Sequence, residues 1–115
     1  MPKLKMYLKP SCTSCRKAKT LLLENGVELD EHDLGKNRLT AEQLDALIGS
    51  RNYIDFLNTR NEMYRERKMK VNPPSRAEAL KLMAQEPNLI RRPIVIRDGQ
   101  MILGYDEEGL RKLAK

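Results

Sequence analysis

The 115-residue sequence has no tryptophan, one phenylalanine and four tyrosines. Proteins that grip single-stranded nucleic acid interleave aromatics with basic residues to stack bases, and no such interleaving recurs here. Histidine is nearly absent too: His32 stands alone beside two cysteines, Cys12 and Cys15. A structural zinc site normally takes four ligands, so no metal is expected. No apolar run approaches the ~20 residues of a membrane span, which argues against a membrane partner. Residues Met1 to Lys9 interleave lysines with apolar residues and lack the continuous apolar core of a signal peptide. A cytoplasmic location is expected, and in that reducing compartment a cysteine pair is more often catalytic or redox-sensing than structural.

Charge, by contrast, is plentiful, with 22 Lys and Arg against 16 Asp and Glu for a net +6. Arg65, Arg67, Lys68 and Lys70 cluster, but Glu62 and Glu66 interrupt them in the manner of a solvated helix face. Direct nucleic-acid binding is therefore not expected; an acidic protein or an oxyanion fits the charge. The length suits one domain, residues 1–115, with one core, and a monomer is expected.

Leu4, Met6 and Leu8 alternate with Lys3, Lys5 and Lys9, the period-2 pattern of a half-exposed strand. From about Cys15, Ala18, Leu21 and Leu22 form an i, i+3, i+4 stripe that ends at Asn25-Gly26, with Gly26 as the expected C-cap. A second strand follows through Val27 and Leu29 to about Leu34. Thr40 with Gln43 reads as a capping box that opens a helix to Gly49, and Ser75 with Glu78 as another that opens a helix to Pro87. Helical pieces are expected over Tyr53 to Leu57 and Asn61 to Lys68. Residues from about Thr40 to Pro87 thus form an all-helical insertion. Ile94-Val95-Ile96 and Met101-Ile102-Leu103 make a hairpin across a two-residue turn at Asp98-Gly99, and a last helix begins near Asp106. The order is βαβ, helices, ββα. The first βαβ should be a parallel right-handed crossover, and the whole is an α/β thioredoxin-like fold with a mixed four-stranded sheet.

In that layout Cys12-Thr13-Ser14-Cys15 falls at a strand-to-helix junction, the place of a thioredoxin-type redox pair. Cys12 lies just ahead of the helix, where unpaired N–H groups and the macrodipole favour a thiolate. Arg16, Lys17 and Lys19 add positive potential, so a fall from about 8.5 into the roughly 3.5–7.5 range of reactive thiols is expected. Cys15, a turn later, is placed to resolve a mixed disulfide on Cys12. Inert core thiols sit in apolar surroundings, and Pro10, Ser11, Thr13 and Ser14 are polar and turn-like. Pro93, at the head of the third strand, is either an ordinary strand-entry proline or a cis-proline loop beside the cysteines.

Pro10-Ser11-Cys12-Thr13-Ser14-Cys15-Arg16-Lys17-Ala18, Asn58-Thr59-Arg60, Arg91-Arg92-Pro93-Ile94 and Gly104-Tyr105-Asp106-Glu107 together resemble the arsenate reductase (ArsC)/Spx family over nearly the whole chain. The resemblance implies a thioredoxin-like fold with a helical insertion and a cis bond before Pro93. It implies Cys12 as nucleophile, Cys15 as resolving thiol, and Arg60 and Arg92 as the holders of an anionic group near the sulfur. Arg16, Arg92 and Pro93 would contact a glutathione carboxylate or an oxyanion. Tyr105 stands where the glutathione-coupled arsenate reductases carry a third arginine. Two functions follow from the resemblance. One is a thiol-disulfide reductase with no bound cofactor, acting on a small thiol or oxyanion with glutathione as electron donor. The other is a redox-sensing transcription regulator that binds the C-terminal domain of the RNA polymerase α subunit, with Asn52 where Spx carries a glycine.

Overall fold

Alternation in the first strand becomes alternation in burial. The computed structural model describes residues 3–115, and in β1 (Lys3–Leu8) Leu4, Met6 and Leu8 are buried while the lysines and Tyr7 are not. Strand β1 runs parallel to β2 (Glu28–Asp33), pairing Lys3 with Glu28 through Leu8 with Asp33. On its other side it is antiparallel to β3 (Ile94–Arg97), which is antiparallel to β4 (Gln100–Leu103). The resulting order, β2-β1-β3-β4, is the mixed four-stranded sheet of a thioredoxin-like fold. β2 is an edge strand, and its exposed Glu28, Asp30 and Glu31 keep that edge from pairing with another chain.

The described residues up to Asn37, together with Arg92–Lys115, form one compact unit. Its crossover helix α1 (Thr13–Glu24) buries Cys15, Ala18, Leu21 and Leu22. The cap at its end is Asn25 rather than Gly26: the Asn25 amide reaches the Leu21 and Leu22 carbonyls, and its side chain donates to Leu21 O at 2.7 Å. Gly26 follows at φ +79°, where a residue without Cβ is the least strained. Helix α5 (Glu107–Ala114) is capped by Asp106, whose carboxylate accepts from the Gly109 amide at 3.1 Å. Leu4, Met6, Leu22, Val95 and Leu110 are wholly buried together, with Cys15 among them. Each such side chain contributes roughly 1.5–3 kcal/mol of transfer free energy. The hairpin turn is the expected two residues, since Arg97 pairs with Gln100. It is Asp98, at φ +50°, that takes the left-handed conformation, and not Gly99.

Residues Arg38–Arg91 form the second unit, which is mainly helical. Helix α2 (Ala41–Ile48) starts on a complete capping box, with Gln43 N donating to Thr40 Oγ1 at 3.1 Å and Thr40 N to Gln43 Oε1 at 2.9 Å. Helix α4 (Arg76–Gln85) has only half of the expected box: Ser75 accepts from Glu78 N, but the Glu78 carboxylate lies 4.0 Å from Arg67. The two helices pack against each other, α2 burying Leu44 and Ile48 and α4 burying Ala79, Leu80, Leu82 and Met83. The Arg76 guanidinium ties them, donating to Asp45 Oδ1 through Nη2 at 2.8 Å and to Gly49 O at 3.1 Å. The two helical pieces expected between them are shorter than the sequence pattern suggests. One is a 3-10 turn (Tyr53–Phe56); the other is α3 (Glu62–Glu66), after which Lys68 turns left-handed at φ +51°. Pro87 ends α4 as expected, and a 3-10 turn (Pro87–Leu89) continues from it.

Candidate active site

Cys12 is the N-cap of α1. After β1 ends at Leu8, the Cys12 amide donates to Lys9 O at 3.0 Å and the residue is extended at φ −82°, ψ 119°. Its Sγ then accepts from the Cys15 amide at 3.3 Å. A hydroxyl or carboxylate is the usual acceptor at this position; here a sulfur takes it, facing the unpaired amides and positive end of the helix. Both cysteines are thiols, Cys12 half-buried and Cys15 completely buried.

The environment separates their acidities. Burial pushes the Cys12 thiol up, but hydrogen bonds from the Cys15 side chain and amide, with a hydrogen bond and a charge from Arg92, outweigh it and leave the group below its ordinary value. Cys15 goes the other way. Burial, its hydrogen bond to Cys12 and the neighbouring Cys12 charge push it up to about 12, against opposing help from the Lys9 amide and Arg92. The cause anticipated from the sequence needs correction. The lowering comes from Cys15 and Arg92, and not from Arg16, Lys17 and Lys19; Lys19 is paired with Glu31 at 3.0 Å.

Arg92 and Pro93 reach this site from the far end of the sequence. The Arg92-Pro93 bond is cis and Pro93 is buried, with its carbonyl accepting from the Gly104 amide at 2.8 Å. Strand β3 begins directly after it and is hydrogen-bonded to β1, which leads into Cys12. Of the other anticipated residues, Arg16 is exposed on α1 in the turn after Cys12. Arg60 belongs to the 38–91 unit, exposed, with its amide bonded to Asn58 Oδ1 at 3.1 Å. Asn52 caps the 3-10 turn, accepting from the Ile54 amide at 3.1 Å.

Helices α1 and α5 flank an open cleft of about 590 Å³ whose walls include Thr13, Arg16, Glu24 and Arg111, with Tyr105 from the segment before α5. Sequence reasoning singled out Arg16 and Tyr105 but missed the rest. The available signal was a stripe of Thr13, Arg16, Lys17, Thr20 and Glu24 along one face of α1 at helical spacing. Among the described residues no cluster of three or more His, Cys, Asp or Glu is arranged to hold a metal ion, and no helix is long and apolar enough to cross a membrane.

A four-stranded mixed sheet with a Cys-x-x-Cys capping its crossover helix, opposite a cis-proline, defines a thioredoxin-like thiol protein. More specifically, the chain belongs to the ArsC family: the family model matches residues 7–113, and the chain is a thiol-redox protein of the ArsC/Spx type. It is 35% identical over 108 residues to the global transcriptional regulator Spx of Streptococcus pneumoniae, covering 92% of this chain and 81% of that protein. Identity to Spx of Streptococcus pyogenes is 31% with the same coverage. An arsenate reductase (ArsC) related protein from Brucella melitensis superposes with a TM-score of 0.75 at 28% identity, covering 92% of this chain and 88% of that one. An arsenate reductase from Vibrio cholerae has the same fold, with a TM-score of 0.83 at 24% identity over 97% and 98% of the two chains.

Proposed function

We propose that this protein is a cytoplasmic thiol-disulfide reductase in which Cys12 is the nucleophile and Cys15 the resolving thiol. The observation that carries this reading is the opposed tuning of the two sulfurs: Cys12 lowered and reachable, Cys15 buried and pushed up to about 12. The Cys12 thiolate attacks one sulfur of a substrate disulfide, forming a mixed disulfide and releasing the other sulfur as a thiolate, which takes a proton. Once Cys12 is bonded, its negative charge is gone, and two of the contributions that raise Cys15 vanish with it. Cys15 then loses its proton more easily and attacks Cys12 Sγ, releasing the second thiol. The substrate gains two electrons, and the protein holds one disulfide, which two equivalents of a small thiol such as glutathione reduce again. Arg92 and Arg16 hold an anionic group of the substrate near the sulfur, with Arg60 a further candidate on its own unit.

A second reading has a specific support, the 35% identity to a transcriptional regulator. In it the same disulfide switches a surface that binds the C-terminal domain of the RNA polymerase α subunit. One preparation separates the two. Glutathione mixed disulfide and arsenate are offered as substrates while a pull-down with the polymerase domain is run on oxidised and reduced protein. Turnover without binding is the expected result; oxidation-dependent binding without turnover would replace the enzyme with the regulator.

A further inference from the structure

The cleft between α1 and α5 starts beside the thiol site and shares Arg16 with it, but the rest of its length has no part in the thiol chemistry described above. It begins at Thr13, next to Cys12, and runs to Glu24, the last residue of α1, a rise of ~16 Å at 1.5 Å per residue. Charge is ordered along that length. Arg16 and Lys17 stand near the thiol end, and Tyr105, 41% exposed, lines the same cleft with a phenol that can donate a hydrogen bond. Glu24 closes the far end. Arg111 of α5 is engaged with Glu107 at 2.8 Å, whereas Arg16 and Lys17 have no ion-pair partner among the described residues. The cleft therefore presents two uncommitted cations close to the nucleophile and a carboxylate ~12 Å further along the helix.

That span is too long for a small thiol. A tripeptide reaches about 10 Å fully extended, and about five residues are needed to line the cleft from end to end. We propose that the α1/α5 cleft is a docking groove for the peptide segment flanking the disulfide cysteine of a protein substrate. The segment carries an acidic residue next to the cysteine, facing Arg16 and Lys17, and a basic residue roughly three or four positions further along, facing Glu24. The inference rests on the reductase reading of Cys12 and Cys15 and adds no redox step to it. Docking sets which disulfides are presented to the sulfur and, through the rim charges, how fast they arrive.

The test uses two isomeric peptides, each made in both chain directions and presented as mixed disulfides with 2-mercaptoethanol. One has Asp beside its cysteine and Lys at the far end; the other exchanges the two. Wild type should reduce the first with a kcat/KM about two- to five-fold higher for each correctly placed charge, the range of an exposed ion pair. The double variant Lys17→Glu/Glu24→Lys should reverse the preference. Binding of fluorescein-labelled peptides with Ser in place of Cys, followed by anisotropy, reads docking without the redox step and should show the same order and the same reversal. Equal rates and equal affinities for the isomers overturn the groove. If 2-hydroxyethyl disulfide is still turned over in that case, the reductase reading survives alone; charge-ordered binding with no turnover of any disulfide keeps the groove and removes the reductase.

Discussion

Competitive alkylation of the two thiols tests the electrostatics of the site most directly. At pH 7 a thiol at its ordinary value of 9.0 is about 1% thiolate, and Cys12 lies below that value. Cys15, pushed up to about 12, is only about 0.001% thiolate. The thiolate populations thus differ by at least ~10³. A thiolate of higher pKa is the better nucleophile, with a slope of about 0.4–0.5, which returns roughly 30-fold to Cys15. Cys12 should therefore react at least ~30 times faster before access is considered, and the complete burial of Cys15 widens the gap. The assay is sub-stoichiometric iodoacetamide at pH 7 followed by mass spectrometry. Both thiols lie between Lys9 and Arg16, so the adduct is placed from fragment ions. Comparable labelling, or faster Cys15, would refute the division of roles.

The same assay assigns the cause. Arg92→Met removes both a hydrogen bond and a charge that lower Cys12, so its pH-rate profile should move to higher pH and its rate near pH 6 should fall. Replacing Lys17 or Lys19 by Met should move the profile far less. A profile indifferent to Arg92→Met would mean that the helix terminus and Cys15 alone hold the thiolate.

Two further outcomes concern stability. Cys15 has a folded-state pKa raised above its unfolded value, so its contribution is fully present below about pH 9 and is lost as pH rises toward about 12, at up to ~1.4 kcal/mol per pH unit. Urea unfolding of the reduced protein between pH 8.5 and 10.5 should show that loss, and Cys15→Ala should show a shallower slope; parallel slopes would contradict the buried, protonated thiol. Gly109→Ala raises helix propensity by ~1 kcal/mol, but the new Cβ would lie 2.6 Å from Asp106 Oδ2 and 3.0 Å from Ile102 Cδ1. It therefore disturbs a cap worth about 0.5–2 kcal/mol and crowds the β4 side chain. Thermal melts should show a net loss, and a raised Tm would show that Asp106 can move without penalty.

What could be read in the sequence was what depends on near neighbours. The alternation at Leu4, Met6 and Leu8 and the Thr40-Gln43 box are settled within a few residues, and each has the structure its pattern implies. Where a distant residue competes, local rules fail. Glu78 gives up its half of a capping box because Arg67 lies 4.0 Å away, and the helix expected through Lys68 stops early because the chain turns left-handed there. The two-residue turn at Asp98-Gly99 is another local signal that holds, with the positive φ falling on Asp98, a residue type that tolerates that region better than most.

The candidate site divides along the same line. Cys12 and Cys15 are legible because one helical turn fixes their relation, and the amide at 3.3 Å is a consequence of that turn. The charge that matters was misassigned because nearness in sequence stood in for nearness in space. Lys17 and Lys19 follow the cysteines closely on a helix, but the helix carries their side chains outward, one of them to Glu31. Arg92 arrives from the other side of the sheet order, through β3 paired with β1, and its cis peptide partner sits buried at the start of that strand. A stripe such as Thr13, Arg16, Lys17, Thr20 and Glu24 shows the same limit in reverse. It can be counted from the sequence, but it reads as an ordinary solvated face until Arg111 of α5 and Tyr105, just ahead of that helix, supply the opposite wall. Only then do charges that look interchangeable along a helix acquire an order relative to the nucleophile, and with it a capacity to select what reaches Cys12.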